Sequence, residues 1–284
     1  MIPTGFAYER PASLDEALAA LARGGAGTKV IAGGQSLLPL LKLRVASAER
    51  LVDIGRLTEL KGIRQLPDGG LEIGALSTYA EVRAATRLAF AAEAIEGIGD
   101  VQVRNRGTVG GAIAHADPAS DLPALALALD YSVVLRSPRG ERVMPLDGFL
   151  LGAFETAIDP DELIIALRRG PLPDGAAGAY RKLRQPASGF SIVGVAAVVA
   201  TSGGSIAHAR VALTGVGEVA YRAKVVEAAL VESDGSPAEI AAAAAHATDG
   251  IAVRGDIHAD REYRTKMAVV YTRRAIEAAL SRSG

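Results

Sequence analysis

The chain has 284 residues, 49% hydrophobic and 22% charged, with 31 Lys and Arg against 32 Asp and Glu for a net charge of -1. That composition excludes a wholly disordered chain and lacks the electropositive footprint of a nucleic-acid binder. With no Cys, disulfides, a thiolate nucleophile, and Cys-held zinc or iron–sulfur clusters are excluded as well.

The length predicts two domains at about 100–200 residues each. The near-neutral charge favours a subunit that buries surface against partners. The four His (His115, His208, His246, His258) are scattered without a His-x-x-x-His pair, so no metal site is expected. The N-terminal sequence MIPTGFAYERPASLDEAL lacks a basic start followed by an apolar core, and so does not read as a signal peptide. The longest apolar run, Ile192–Ala200, is too short to cross a bilayer at about 20 residues. A soluble, cytoplasmic protein is expected.

In chain order, Ser13-Leu-Asp-Glu16 reads as a capping box that opens a helix, with Leu14, Ala17, Leu18 and Leu21 at helical spacing and Gly24-Gly25 as its stop. Thr28–Ala32 and Arg50–Ile54 are short, apolar and β-branched, and predict strands. Gly62–Gln65 and Leu71–Ala75 flank a turn and predict a hairpin. Thr78-Tyr-Ala-Glu81 is a second capping box. Tyr131–Arg136 and Glu162–Leu167 are strand-like, and the Pro- and Gly-rich Arg169–Gly178 predicts a domain boundary. Beyond it, Ser191–Thr201 and Ser205–Thr214 alternate around Gly203-Gly204 and predict an antiparallel hairpin. Three helices are expected after that: from near Tyr221, from Ser236-Pro-Ala-Glu239, and from about Ala259 to Ser281.

Two glycine pairs stand out: Ala32-Gly33-Gly34-Gln35-Ser36, directly after a strand, and Thr108-Val109-Gly110-Gly111-Ala112. Adjacent glycines let backbone N–H groups converge on a pyrophosphate without Cβ interference, and Gln35, Ser36 and Thr108 can add side-chain donors. Each pair is equally readable as a tight turn. Neither is a GxGxxG, and no Walker A sequence is present. Asp117 and Asp121 can accept from ribose hydroxyls. Equally, Ser120 or Asp121 can simply cap a helix that starts near Leu122. The charged run Tyr180–Arg184 reads as a solvated strand, and no acid/base or nucleophile constellation assembles from spacing.

Together AGGQSLLPLLKLR (Ala32–Arg44), QVRNRGTVGGAIAHADPASD (Gln102–Asp121) and YRKLR (Tyr180–Arg184) resemble the flavin-binding medium subunit of the molybdenum hydroxylases. That family includes the carbon monoxide dehydrogenase medium subunit and the flavin domain of xanthine dehydrogenase. The resemblance extends to Asp256–Arg264 (DIHADREYR). It implies an α+β fold: a two-subdomain FAD-binding domain of the vanillyl-alcohol-oxidase type over 1–173 (subdomains about 1–56 and 57–173), then a C-terminal domain, 174–284, of antiparallel sheet and helices. By motif matching, Ala32, Gly33, Gly34, Gln35, Ser36 and Leu37, with Thr108, Val109, Gly110, Gly111 and Ala112, hold the pyrophosphate and its neighbours. Asp121 faces the ribose–adenine end and Lys182 the pyrimidine edge of the flavin. Ile164 makes an apolar ring contact, with Ile98 and Phe190 as weaker carry-overs. Many relatives have Asp where this chain has Gly189, and xanthine dehydrogenase has Asn where it has Ala112.

The resemblance further implies non-covalent FAD in this chain, a large subunit with the molybdenum cofactor, and a small subunit with two [2Fe–2S] clusters, joined as a dimer of heterotrimers. Electrons pass from the clusters through FAD to an external acceptor, whether quinone, NAD or oxygen. The alternatives are a free-standing FAD-dependent oxidase or dehydrogenase, and a flavin-free scaffold subunit.

Overall fold

The structure is a computed structural model that describes residues 2–25 and 27–283. It begins with a small parallel sheet. Strand β1 (Ala7–Glu9) leads into helix α1 (Leu14–Gly24), strand β2 (Thr28–Ile31), helix α2 (Leu37–Lys42) and strand β3 (Arg50–Asp53), with sheet order β1-β3-β2. Ser13 caps α1 by accepting from the Glu16 N–H at 3.2 Å. Glu16 reaches back to the N–H of Ala12 rather than that of Ser13. Ala17, Leu18 and Leu21 of α1 close on Val52 and Ile54, a core that also takes in Leu57, Leu60 and Leu163.

A five-stranded antiparallel sheet forms the middle of the molecule. The expected hairpin is β4 (Ile63–Gln65) and β5 (Leu71–Gly74). Five helices follow: α3 (Tyr79–Ala85), α4 (Ala89–Glu96), α5 (Val101–Arg104), α6 (Val109–His115) and α7 (Asp121–Ala128). The chain then adds β6 (Ser132–Ser137), β7 (Gly140–Pro145), the small hairpin β8 (Leu150–Gly152) with β9 (Glu155–Thr156), and β10 (Leu163–Arg169). The sheet order β4-β5-β10-β6-β7 puts β10 between β5 and β6. The capping box at Thr78 is complete, with the Glu81 N–H on Thr78 Oγ1 and the Thr78 N–H on the Glu81 carboxylate. All eight residues of α7 are buried, as befits a helix apolar on every side and enclosed by both halves of the molecule.

The last third is a four-stranded antiparallel sheet, β11 (Ala177–Arg184), β12 (Ser191–Ser202), β13 (Ser205–Thr214) and β14 (Tyr221–Arg222), with helices α8 (Lys224–Leu230), α9 (Pro237–Ala244) and α10 (Arg261–Leu280). The expected helix start at Tyr221 is thus corrected: Tyr221 and Arg222 pair with Leu213 and Ala212, and the helix begins at Lys224. Strand β12 reads as an unbroken apolar run because both its faces are covered. Val193, Val195, Ala197 and Val199 join the core that holds Ala268, Ala275 and Ile276 of α10, while Ala196 and Val198 join the core built on α7. Among the described residues no helix is long and apolar enough to cross a membrane.

Candidate functional site

The first glycine motif is the turn between β2 and α2. Gly33 lies against the backbone of Arg106–Gly107, immediately before the second motif, where a Cβ would overlap the Arg106 carbonyl oxygen. Only glycine permits this approach, so the two motifs, some seventy residues apart in sequence, abut in space. Gly34 takes φ +74, and its carbonyl accepts from the Leu38 N–H at 3.1 Å to start α2. Among the described residues, no acceptor takes the backbone N–H of Gly33, Gly34, Gln35, Ser36 or Leu37. A run of amides this long without a partner, beside a close backbone crossing, fits a multiply charged anion such as a pyrophosphate.

The second motif is built differently from the open glycine loop its sequence implies. Thr108 is the N-cap of α6, and Gly110 and Gly111 lie in its first turn. The N–H of Val109 goes to Ser77 O, that of Gly110 to Ala75 O at 2.8 Å, that of Gly111 to Thr108 Oγ1 at 3.2 Å, and that of Ala112 to Thr108 O. A Cβ on Gly110 would sit 2.6 Å from that of Ala75. Gly110 is therefore required by helix-on-strand packing. Of the motif's five amides, only Thr108 keeps an N–H without an acceptor among the described residues.

Asp121 and Lys182, assigned by resemblance to opposite ends of the cofactor, are in direct contact. Lys182 Nζ lies 2.7 Å from Asp121 Oδ2 and 3.3 Å from Gly97 O, with the two side chains 10% and 6% exposed. The other carboxylate oxygen accepts from Tyr180 Oη at 2.5 Å and Ser191 Oγ at 2.7 Å. Burial and the Asp121 charge push the Tyr180 phenol well above its ordinary range. Gly194 leaves the room for this cluster, since a Cβ there would strike Tyr180 Oη. The two residues form one locus, a clasp between α7 and strands β11 and β12.

Tyr180 was legible as a partner of Lys182, because residues two apart on a strand share a face. Ser191 and Asp121 reach the cluster through strand pairing and helix docking, for which the sequence carries no local signal.

The remaining expected contacts are dispersed. Ile164 is buried in the main core, and Ile98 is packed against it. Phe190 is 49% exposed at the base of a tight loop, its carbonyl accepting from the Gln185 N–H at 2.8 Å, while Gly189, at φ +74, donates to Gln185 O. The segment after α6 is docked on the last sheet: Thr214 Oγ1 donates to Pro118 O and Ser120 O at 2.9 and 2.8 Å. The His115 ring lies 5.0 Å from that of Phe154, and burial lowers its pKa against the opposing pull of Asp117. A cleft of about 380 Å³ runs between this segment, the Gln185–Phe190 loop with the start of β12, and Arg254–His258. It borders the clasp at Ser191.

Residues 4–169 match the family model described as the FAD binding domain in molybdopterin dehydrogenase, and residues 178–279 match the CO dehydrogenase flavoprotein C-terminal domain. The chain is 38% identical to the carbon monoxide dehydrogenase medium chain of Hydrogenophaga pseudoflava, over 99% of each chain. It is 37% identical to the 6-hydroxypseudooxynicotine dehydrogenase complex subunit alpha of Paenarthrobacter nicotinovorans, over 100% of this chain and 97% of that one. The solved H. pseudoflava carbon monoxide dehydrogenase that lacks the Mo-pyranopterin moiety superposes with a TM-score of 0.96 at 40% identity, covering 100% of both chains. These findings support the flavoprotein-subunit reading over a free-standing oxidase or a flavin-free scaffold. The chain belongs to the FAD-binding medium subunits of the molybdenum hydroxylases of the carbon monoxide dehydrogenase type.

Proposed function

We propose that the chain holds FAD non-covalently with its pyrophosphate over residues 32–37, close to where Thr108 begins α6, and that Asp121 and Lys182 stand together beside the flavin. The observation that carries this reading is the run of five backbone N–H groups, Gly33 to Leu37, without acceptors among the described residues. The clasp belongs to the flavin end because only that half gains negative charge during turnover, and an ammonium has something to meet there. Bound in this way, FAD supplies exchange between one-electron and two-electron carriers.

What the chain itself contributes is positional. The amides of 33–37 fix the phosphates, Gly33 keeps the two motifs in register, and Asp121 holds the Lys182 ammonium in one place. In this reading, 1–173 is the FAD-binding domain and 174–284 the C-terminal domain, which supplies Lys182, Tyr180 and Ser191. The chain works in the cytoplasm within a dimer of heterotrimers. It receives electrons from the two [2Fe–2S] clusters of a small partner and passes them to quinone, NAD or oxygen, while a large molybdenum-cofactor partner oxidises the substrate.

The test is direct. Acid- or heat-denatured protein releases FAD into the supernatant, and the stripped chain takes it up again with the flavin absorption restored. A colourless chain that fails to take up FAD overturns the reading.

A further inference from the structure

Asp121 opens helix α7, where an aspartate ordinarily serves the first turn of its own helix. Here its carboxylate accepts no amide of α7 among the described residues, and the N-cap Ser120 makes no side-chain cap either. Both carboxylate oxygens turn to the C-terminal sheet instead. Oδ2 takes the Lys182 ammonium at 2.7 Å, while Oδ1 accepts from Tyr180 Oη at 2.5 Å and from Ser191 Oγ at 2.7 Å. Tyr180 and Lys182 share a face of β11, two residues apart, and Ser191 reaches the same oxygen from the start of β12. The facing strand gives up a side chain to make room. Gly194 pairs with Lys182, and a Cβ there would strike Tyr180 Oη and come within 2.9 Å of Ser191 Oγ.

A carboxylate beside an ammonium cancels part of the field that the ammonium presents elsewhere. Two hydroxyl donors on the far oxygen draw negative charge toward Oδ1 and fix the rotation of the carboxylate, so that Lys182 meets one oxygen only. Both donors are buried, and their dipoles count for more there than in water.

We infer that Tyr180 is a positioning residue for the flavin: resting on the reading that places this clasp beside the ring, its hydroxyl holds the Asp121 charge on Oδ1 and leaves the Lys182 ammonium with positive charge to offer the reduced cofactor. Loss of the hydroxyl returns negative charge to the Lys182 side, which disfavours reduced flavin relative to oxidised.

The test compares full-length wild type with Tyr180→Phe, Ser191→Ala and Lys182→Met. Each is stripped of flavin and titrated with FAD by fluorescence quenching, and the midpoint potential of the rebound flavin is read by spectroelectrochemical titration. In Tyr180→Phe the preference for reduced over oxidised flavin is expected to fall about two- to fivefold, seen as a lower midpoint potential. Ser191→Ala shifts the same way, and Lys182→Met shifts further. A tyrosine that only supports the fold would change stability or FAD affinity and leave the potential where it was. A Tyr180→Phe potential at or above that of wild type, while Lys182→Met is lowered, overturns the inference and leaves the clasp beside the flavin. Should Tyr180→Phe fail to hold FAD, Ser191→Ala decides by the same criterion. Equal potentials in wild type and every variant, or a wild type that takes up no FAD, sink the underlying reading and this inference with it.

Discussion

Asp121 is a charge that water scarcely reaches, and three donors from the C-terminal sheet meet it. Removing one partner from such a pair leaves the other charge buried and exposed to the full desolvation penalty, about 3–5 kcal/mol. Lys182→Met is therefore expected to destabilise the flavin-free chain by that order. Asp121→Asn with Lys182→Met together should recover most of it, because no charge is then left alone. Urea unfolding of wild type, both single variants and the double variant gives the coupling; a Lys182→Met chain as stable as wild type would show that the clasp contributes nothing. The pair also changes what Lys182 offers a flavin: the ring meets an ammonium already opposed by a carboxylate at 2.7 Å. That partnership was hidden in the sequence because Asp121 and Lys182 lie 61 positions apart, and only the docking of α7 on β11 and β12 brings them together.

At the level of elements, α6 separates what a glycine does for the fold from what it does for a ligand. Gly110 faces Ala75 across a gap with no room for a methyl group, and the strand backbone cannot yield cheaply. Gly110→Ala should cost about 1–3 kcal/mol of overpacking with or without FAD. At Gly111 a Cβ would meet only the Thr108 hydroxyl, at 2.7 Å, the end of a side chain that can turn away at the cost of its cap, about 1 kcal/mol. Gly111→Val is thus the cleaner probe. It is expected to melt within a few degrees of wild type and to bind FAD more weakly, measured by the same titration, because its side chain would stand at the helix start beside the proposed phosphates. Equal FAD affinity in the folded variant would assign the whole second pair to packing.

The sequence disguised this helix because two glycines in one turn each disfavour it by about 1 kcal/mol, and its packing against β10, α7 and β5 offsets that. The same blindness hid β1, three residues long, whose existence depends on parallel pairing with β3. Elements that carry their own signal were legible: the Thr78 capping box, the β12–β13 hairpin and the apolar face of α1. The first glycine motif was legible for the same reason, since its backbone freedom is written in the residues themselves.

For the whole molecule, the decisive junction is where the turn at Pro118 meets the ends of β12 and β13, and one arginine holds that junction from behind. Arg264 of α10, 2% exposed, donates from Nη1 to Ile192 O at 2.6 Å and to Gly215 O, and from Nη2 to Asp256 Oδ2 at 2.6 Å. Gly215 in turn donates its N–H to Pro118 O at 2.8 Å. Asp256 is thus the anchor of a chain of contacts running from the C-terminal helix into the FAD-binding half. Burial works to raise the Asp256 pKa, but the His258 and Ala259 N–H groups and the Arg264 guanidinium overcome it and bring it down to about 2.

A folded pKa below the unfolded value of about 3.9 means that the stabilisation is complete above about pH 5. It drains away as pH falls from there toward 2, when the carboxyl protonates in the native state as well. Asp256→Asn removes this contribution at every pH. The expected outcome is that Asp256→Asn is less stable than wild type at pH 7 and that the gap closes progressively between about pH 5 and pH 2, followed by urea unfolding at each pH. Other paired carboxylates, Glu72 and Glu162 among them, weaken both proteins alike in that range, so the difference isolates Asp256. A gap that stays constant down to pH 2 would mean that the Asp256 charge is not what holds Arg264, and that the junction is kept by the Ile192 and Gly215 carbonyls alone.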